Sequence, residues 1–259
     1  MVKYTYGEGF GLVYERLVRE KYFDSLIRRF GVKSVLEVPF NGTAGYTGVN
    51  STYFSEMECN VTLANDDYKL LKNAMQLWSA MGLKANFVQL TPKEKLPFDD
   101  KTFDLVWNYC EIEKAKKPKA LMKEMARVSR NLVLVITQNS VTYGFFPHKI
   151  YHHLRGHPWD HGDPKLMSLR NIIRLVNDCR FPIVESGLID SPPFPDTWEI
   201  MLLPFKERRE MRRALRELRK ERKTPLLVNA VYGFERLLKV LPTSIEAFFA
   251  HHFFVLVRV

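Results

Sequence analysis

SVLEVPFNGTAGYTG, from Ser34 to Gly48, is the stretch that decides how the rest of this chain is read. Val35, Leu36 and Val38 make a short apolar run with one carboxylate, Glu37, near its end, which is the pattern of a short buried strand. A turn holding Gly42, Gly45 and Gly48 follows, and glycine lets a backbone approach a ligand closely. A parallel strand that runs into a glycine turn and a helix is a common cradle for a nucleotide-like group. It is also an ordinary strand-to-helix turn, because Pro39, Phe40 and Asn41 stand where the first glycines of G-x-G-x-x-G belong. Glu37 separates the ligand classes. A carboxylate at the strand end repels a pyrophosphate and welcomes an ammonium or a ribose hydroxyl, so a cationic cofactor fits better than a nicotinamide dinucleotide.

Outward from this stretch the elements alternate. Before it, Leu12, Leu17, Tyr22, Leu26 and Phe30 give an approximate apolar stripe for a helix over Leu12–Phe30. After it come a helix over Thr52–Met57, a strand over Val61–Ala64 that ends at Asn65-Asp66-Asp67, and a helix over Tyr68–Met81 stopped by Gly82. Phe87–Leu90 is a third strand, Phe103–Trp107 a fourth and Leu132–Thr137 a fifth, with a helix over Pro118–Val128 before the last. Such alternation implies a parallel sheet with right-handed crossovers. The segment Gln138–Asp163 breaks the rhythm: it is aromatic, rich in histidine and without a clear period, as expected of a lid or substrate loop. Leu166–Asn177 then reads as a helix, Pro182–Ile189 as a sixth strand and the residues from His251 onward as a terminal strand.

The chain has 259 residues, enough for one domain with an insertion. No apolar run reaches the length of a membrane span and no leader pattern opens the sequence, which fits a cytoplasmic protein, peripheral to a membrane at most. Cys59, Cys110 and Cys179 lack C-x-x-C spacing and read as free thiols. A net charge of +10 favours anionic partners. Six of those charges lie in Lys206–Lys223, where ten Lys or Arg face four Glu. This basic helix reads as a solvated face, or as a surface for an anionic membrane or RNA.

At Leu96–Asn108 the sequence LPFDDKTFDLVWN resembles the segment before and through the fourth strand of class I S-adenosylmethionine-dependent methyltransferases, the type 11 group above all. VLEV with its glycines, VTLAND, ALMKEMARV and LVLVIT follow the order of that superfamily, over about residues 30–190. The resemblance implies an α/β fold, Rossmann-like and doubly wound, with a mostly parallel seven-stranded sheet, an antiparallel last strand and a helical insertion. It divides the chain into an N-terminal helical cap (1–30), a core (31–196 with 250–259) and a basic and apolar helical insertion (197–249). It implies S-adenosylmethionine as cofactor: Glu37, Gly42 and Gly45 on the methionine end, Asn65 or Asp66 on the ribose, Glu94 near the adenine. Asn108 and Tyr109 are expected just beyond the fourth strand, beside the sulfonium. Asn65 departs from the usual acid, and Ser129-Arg130-Asn131 replaces the usual Pro-Gly-Gly turn.

Five histidines fall between His148 and His161. His148 and His152 are one helical turn apart, but H-E-x-x-H spacing is absent and Gly156 and Pro158 interrupt a helix, so no metal site is expected. His157, Asp160 and His161 are the candidates for a base that takes the acceptor's proton, although methyl transfer can rest on positioning alone. Asp190 and Asp196 flank the proline loop that begins at Ser191, either capping it or contacting the acceptor. A small-molecule or lipid-like acceptor is expected, because apolar segments such as PLLVNAVYGFERLLKVLP follow the basic helix. The alternative is a non-catalytic relative that binds RNA, a membrane or a protein through that helix. The oligomeric state is not legible.

Overall fold

The computed structural model describes residues 10–43, 46–91, 95–156, 158–193 and 226–259. Gly45, Glu94, His157, Asp196 and Lys206–Lys223 lie outside them. Seven strands form one sheet: β1 (Ser34–Glu37), β2 (Asn60–Asn65), β3 (Asn86–Gln89), β4 (Phe103–Tyr109), β5 (Ser129–Gln138), β6 (Ile183–Ile189) and β7 (His252–Arg258). Their order is β3-β2-β1-β4-β5-β7-β6. Pairing is parallel from β3 through β5, while β7 is antiparallel to both β5 and β6. The seven-stranded sheet and its antiparallel last strand are as the sequence predicted. The order reverses between β1 and β4, which opens the switch point where ligands of such sheets bind.

Helices cover both faces. On one lie α1 (Phe10–Phe30), the short α2 (Thr52–Glu56), α3 (Tyr68–Ala80) and α7 (Leu226–Leu238), with Tyr14, Phe23, Leu26, Phe54 and Trp78 in the same core as Val35, Leu63 and Trp107. On the other lie α4 (Pro118–Val128) and α6 (Leu169–Asp178), packed on Leu36, Val106, Val133 and Val255. Alternation along each strand sends successive side chains to opposite faces, so near-continuous apolar runs fill both cores.

Local chemistry sets the element ends. Asp67 caps α3 by accepting from the Lys69 and Leu70 amides at 2.7 and 3.3 Å. Pro118 opens α4 at its first turn, where a missing N–H costs nothing. The LPFDD phrase is held by Arg127 of α4, which donates to the Leu96 and Phe98 carbonyls at 2.9 Å each and to Asp100 at 2.6 Å. Asp104 braces the start of β1, accepting from the Lys33 and Ser34 amides and the Ser34 hydroxyl at 2.9 Å.

Two expectations need correcting. Asn108 and Tyr109 do not lie beyond β4 but are its last two residues, paired with Val135 and Ile136. Residues 145–154 form a helix, α5 (Phe145–Leu154), inside the stretch read as aperiodic. None of its residues is buried, so no apolar period marks it, and Pro147 is tolerated in its first turn. Another short helix, α8 (Thr243–Phe249), precedes β7.

Candidate active site

Glu37 ends β1 fully buried on the α1 side of the sheet. Its carboxylate accepts from the Ser51 hydroxyl at 2.6 Å and the Asn50 amide at 3.4 Å, both in the 3-10 turn Val49–Ser51. Burial pushes its pKa up to about 7, against the lowering effect of these bonds and of Arg19. The glycine turn does not lead directly into a helix. Gly42–Thr43 pairs with Tyr46–Thr47 in a two-residue hairpin, and the 3-10 turn follows. Gly42 is bonded within the turn itself, its N–H donating to Asn41 Oδ1 at 2.8 Å. Gly48 has φ 74°, and a Cβ there would come within 2.9 Å of Ala74, so its need is close packing on α3.

At the end of β2 the two ribose candidates part. Asn65 is buried; its amide donates to the Phe40 carbonyl at 2.5 Å and its oxygen accepts from the Asp67 amide at 2.8 Å. Those bonds tie β2 to the turn after β1. Asp66 is exposed and lines a crevice of about 230 Å³ with Val38, Pro39, Leu90, Leu96 and Lys117. The crevice lies past the carboxyl ends of β1, β2 and β3 and against α4. Beside it, Asn108 is fully buried, donates weakly to the Val38 carbonyl at 3.4 Å, and its Oδ1 accepts no hydrogen bond from the described residues.

Tyr109 points the other way, into a buried polar network under α1 that the sequence did not reveal. Its hydroxyl donates to Glu15 at 2.5 Å and lies 2.9 Å from His252 Nε2. Arg19 pairs with Glu15, donates to Asn50 at 3.1 Å and stacks 4.2 Å above the Tyr109 ring. Asp190 is also buried, with His251 Nδ1 and His252 Nδ1 each 3.2 Å from its Oδ2. Burial would raise its pKa, but the two histidines outweigh burial and hold it at about 2. Glu15 and Arg19 are four apart on α1, one helical turn, but only the fold brings them to residues more than ninety positions away.

Of the three candidate bases, His157 lies outside the described residues. Asp160 is 78% exposed at its side chain, 3.6 Å from His161 Nε2. His161 is turned toward His148 and His152 of α5. The Asp190 carboxylate contacts His251, just before β7, and His252, the first residue of β7.

This strand order, with the crevice at its switch point, defines the Rossmann-like methyltransferase fold. Residues 43–136 match the sequence pattern of a methyltransferase domain of the type 11 family. Among solved structures, one neighbour is that of a possible sarcosine dimethylglycine methyltransferase from Galdieria sulphuraria, with 16% identity and a TM-score of 0.53, covering 93% of this chain and 85% of that one. The [4+2]-cyclase SpnF matches at 14% identity and TM-score 0.54, over 100% of this chain and 87% of that chain. A further methyltransferase-like protein from Bacillus halodurans matches at 14% and 0.50, over 92% and 98%. No curated protein matches. The strand order is that of the Rossmann-like methyltransferase fold, and the methyltransferase-domain match lies within it, over residues 43–136.

Proposed function

We propose that the protein is a methyltransferase that uses S-adenosylmethionine and acts on a small-molecule or lipid-like acceptor. The observation that carries this reading is the crevice at the β1/β4 switch point, with a carboxylate and apolar walls in the places this cofactor needs them. Asp66 offers two oxygens to the ribose hydroxyls. Leu90 and Leu96 give the adenine ring apolar surface, and Asn108 Oδ1 supplies an acceptor that a ligand N–H would satisfy. Glu37, at the end of β1, is the carboxylate for the methionine ammonium.

When bound, S-adenosylmethionine supplies a methyl group made electrophilic by the adjacent sulfonium. The acceptor's lone pair forms the new bond to the methyl carbon as the carbon–sulfur bond breaks, and S-adenosylhomocysteine leaves with the sulfur's electron pair. An acceptor hydroxyl or amine releases its proton to solvent or to a nearby carboxylate. The chain's own contribution is alignment within the crevice, where positioning can supply most of the rate. Exposed Phe146, Ile150 and Leu154 on α5, and exposed Phe248 and Ile245 of α8, support an apolar acceptor. No helix among the described residues is long and apolar enough to cross a membrane.

Calorimetric titration with S-adenosylmethionine and then S-adenosylhomocysteine tests the reading. Micromolar binding lost in Glu37→Ala and in Asp66→Ala is the expected result. Absence of heat with protein shown to be folded refutes it.

A further inference from the structure

Three imidazoles that the chain keeps four and nine residues apart meet on the outer side of β5. His152 Nε2 lies 3.1 Å from His148 Nε2 and 3.2 Å from His161 Nε2, and the three nitrogens all fall within 4.8 Å of one another. His148 and His152 share one face of α5 by helical spacing. His161 is delivered by the loop that follows, and that loop is pinned. Asp163 N–H donates to the Glu113 carbonyl at 2.8 Å, and Trp159 Nε1 donates to the Gly162 carbonyl at 2.9 Å. Gly162 has φ 107°, and a Cβ there would sit 2.6 Å from the Glu113 oxygen, so only glycine allows the approach that aims His161 inward.

Protonation chemistry makes this arrangement unusual. His152 Nδ1 faces the Pro158 carbonyl at 3.2 Å, and a carbonyl only accepts, so Nδ1 carries the proton and Nε2 presents a lone pair. One in-plane lone pair then faces two other ring nitrogens at hydrogen-bond distance. A cation at their centre would use all three lone pairs together. Zinc–imidazole bonds of about 2.0–2.1 Å at tetrahedral angles place neighbouring nitrogens about 3.3 Å apart, close to the two distances seen here. The Pro158 carbonyl is then the outer partner that fixes the tautomer and ring orientation of a ligating histidine. Asp160, 3.6 Å from His161 Nε2, stands where it or a water completes a fourth position.

We propose that His148, His152 and His161 form a binding site for a divalent transition metal, zinc first, that clamps the loop after α5 onto that helix. Three imidazoles select zinc, cobalt, nickel or copper, and give no site for magnesium or calcium, which prefer oxygen ligands. The proposal is independent of the methyltransferase reading, because metal uptake is measured without cofactor or acceptor.

The test uses the untagged full chain, stripped with a chelator and titrated with cobalt(II). The expected result is one equivalent bound, with the intense visible ligand-field bands of a four- or five-coordinate ion, displaced by zinc and not by excess magnesium. His148→Ala and His152→Ala should each weaken zinc binding by at least the 10- to 100-fold that loss of an outer-shell partner costs. His153→Ala, an exposed histidine on the same helix, should bind as the parent does. Because α5 has no buried residue, these variants should keep the parent's circular dichroism and unfolding midpoint. Pale six-coordinate cobalt spectra, less than one equivalent bound by folded protein, or unchanged binding in His148→Ala and His152→Ala would overturn the proposal.

Discussion

The two sides of the switch point are built in opposite ways. Against α4, the crevice is apolar, partly open and lined by residues close to one another in the alternating β/α pattern: Val38, Asp66, Leu90, Leu96. Under α1, the same strand ends meet a closed set of polar and charged groups, Glu15, Arg19, Glu37, Asp190, His251 and His252, held by hydrogen bonds between distant parts of the chain. Apolar surface gains from any close neighbour, so the crevice survives small changes in its lining. Buried charge gains only from a particular partner in a particular place, and leaving one unpaired costs several kcal/mol. One half of the switch point therefore tolerates substitution. The other half is rigid and fixes where α1 lies.

The largest expected effect breaks the rigid half. Arg19→Met leaves the Glu15 carboxylate buried beside Tyr109 without its cation, and stability should fall by about 3–5 kcal/mol in denaturant unfolding. Adding Glu15→Gln should restore part of that loss. A fall below about 1 kcal/mol would mean that the pair does not hold α1.

A smaller effect, of opposite sign, comes from Glu37. Its pKa rises from an ordinary 4.5 to about 7 in the fold, so the folded state holds the proton more tightly than the unfolded one. Stability therefore falls as pH rises from about 4.5 to about 7 and stays lower above that. Glu37→Gln should leave the protein unchanged near pH 4.5 and raise its stability by up to about 3 kcal/mol at pH 8, from the 2.5-unit difference. The same variant should lose S-adenosylmethionine affinity, and the parent's affinity should weaken below pH 7 as Glu37 takes up its proton. Equal unfolding profiles for parent and variant across this range would remove the argument.

The smallest stability effect belongs to the open half. Asp66→Ala, at an exposed position, should change stability by no more than about 0.5 kcal/mol yet weaken cofactor binding about tenfold. Ala120→Trp, filling the crevice from α4, should act likewise on binding. If either variant unfolds the protein instead, the contrast between the halves is wrong.

Much of this contrast was written locally. The strands over Val61–Ala64 and Leu132–Thr137, and the helix over Pro118–Val128, show in the sequence because burial, capping and turn chemistry act over a few residues. Asp66 shows for the same reason, as an acid at a strand end, and the fold adds that it lines the crevice. Asn65 misled because an amide at that position can serve a ligand or the backbone, and only the nearness of Phe40 shows which. The helix α5 was hidden because it buries no face, and Tyr109 because one more strand residue reverses the side to which a side chain points. The basic segment Lys206–Lys223 lies outside the described residues, so the alternative reading through it gains nothing here.

By itself, the sequence determined the alternating architecture, the switch-point strand and a resemblance to methyltransferase domains over its first half. The segment LPFDDKTFD within the stretch that carries the resemblance turns out to be scaffolding, its start held to α4 by Arg127 and its Asp104 bracing the start of β1. Only the tertiary structure decided which carboxylate lines an open crevice and which face a buried partner, and that three histidines meet. The physical reason is range: periodicity and capping depend on neighbours within a turn or two, whereas the state of a buried charge or imidazole depends on whatever residue the fold places within about 3 Å, at any distance along the chain.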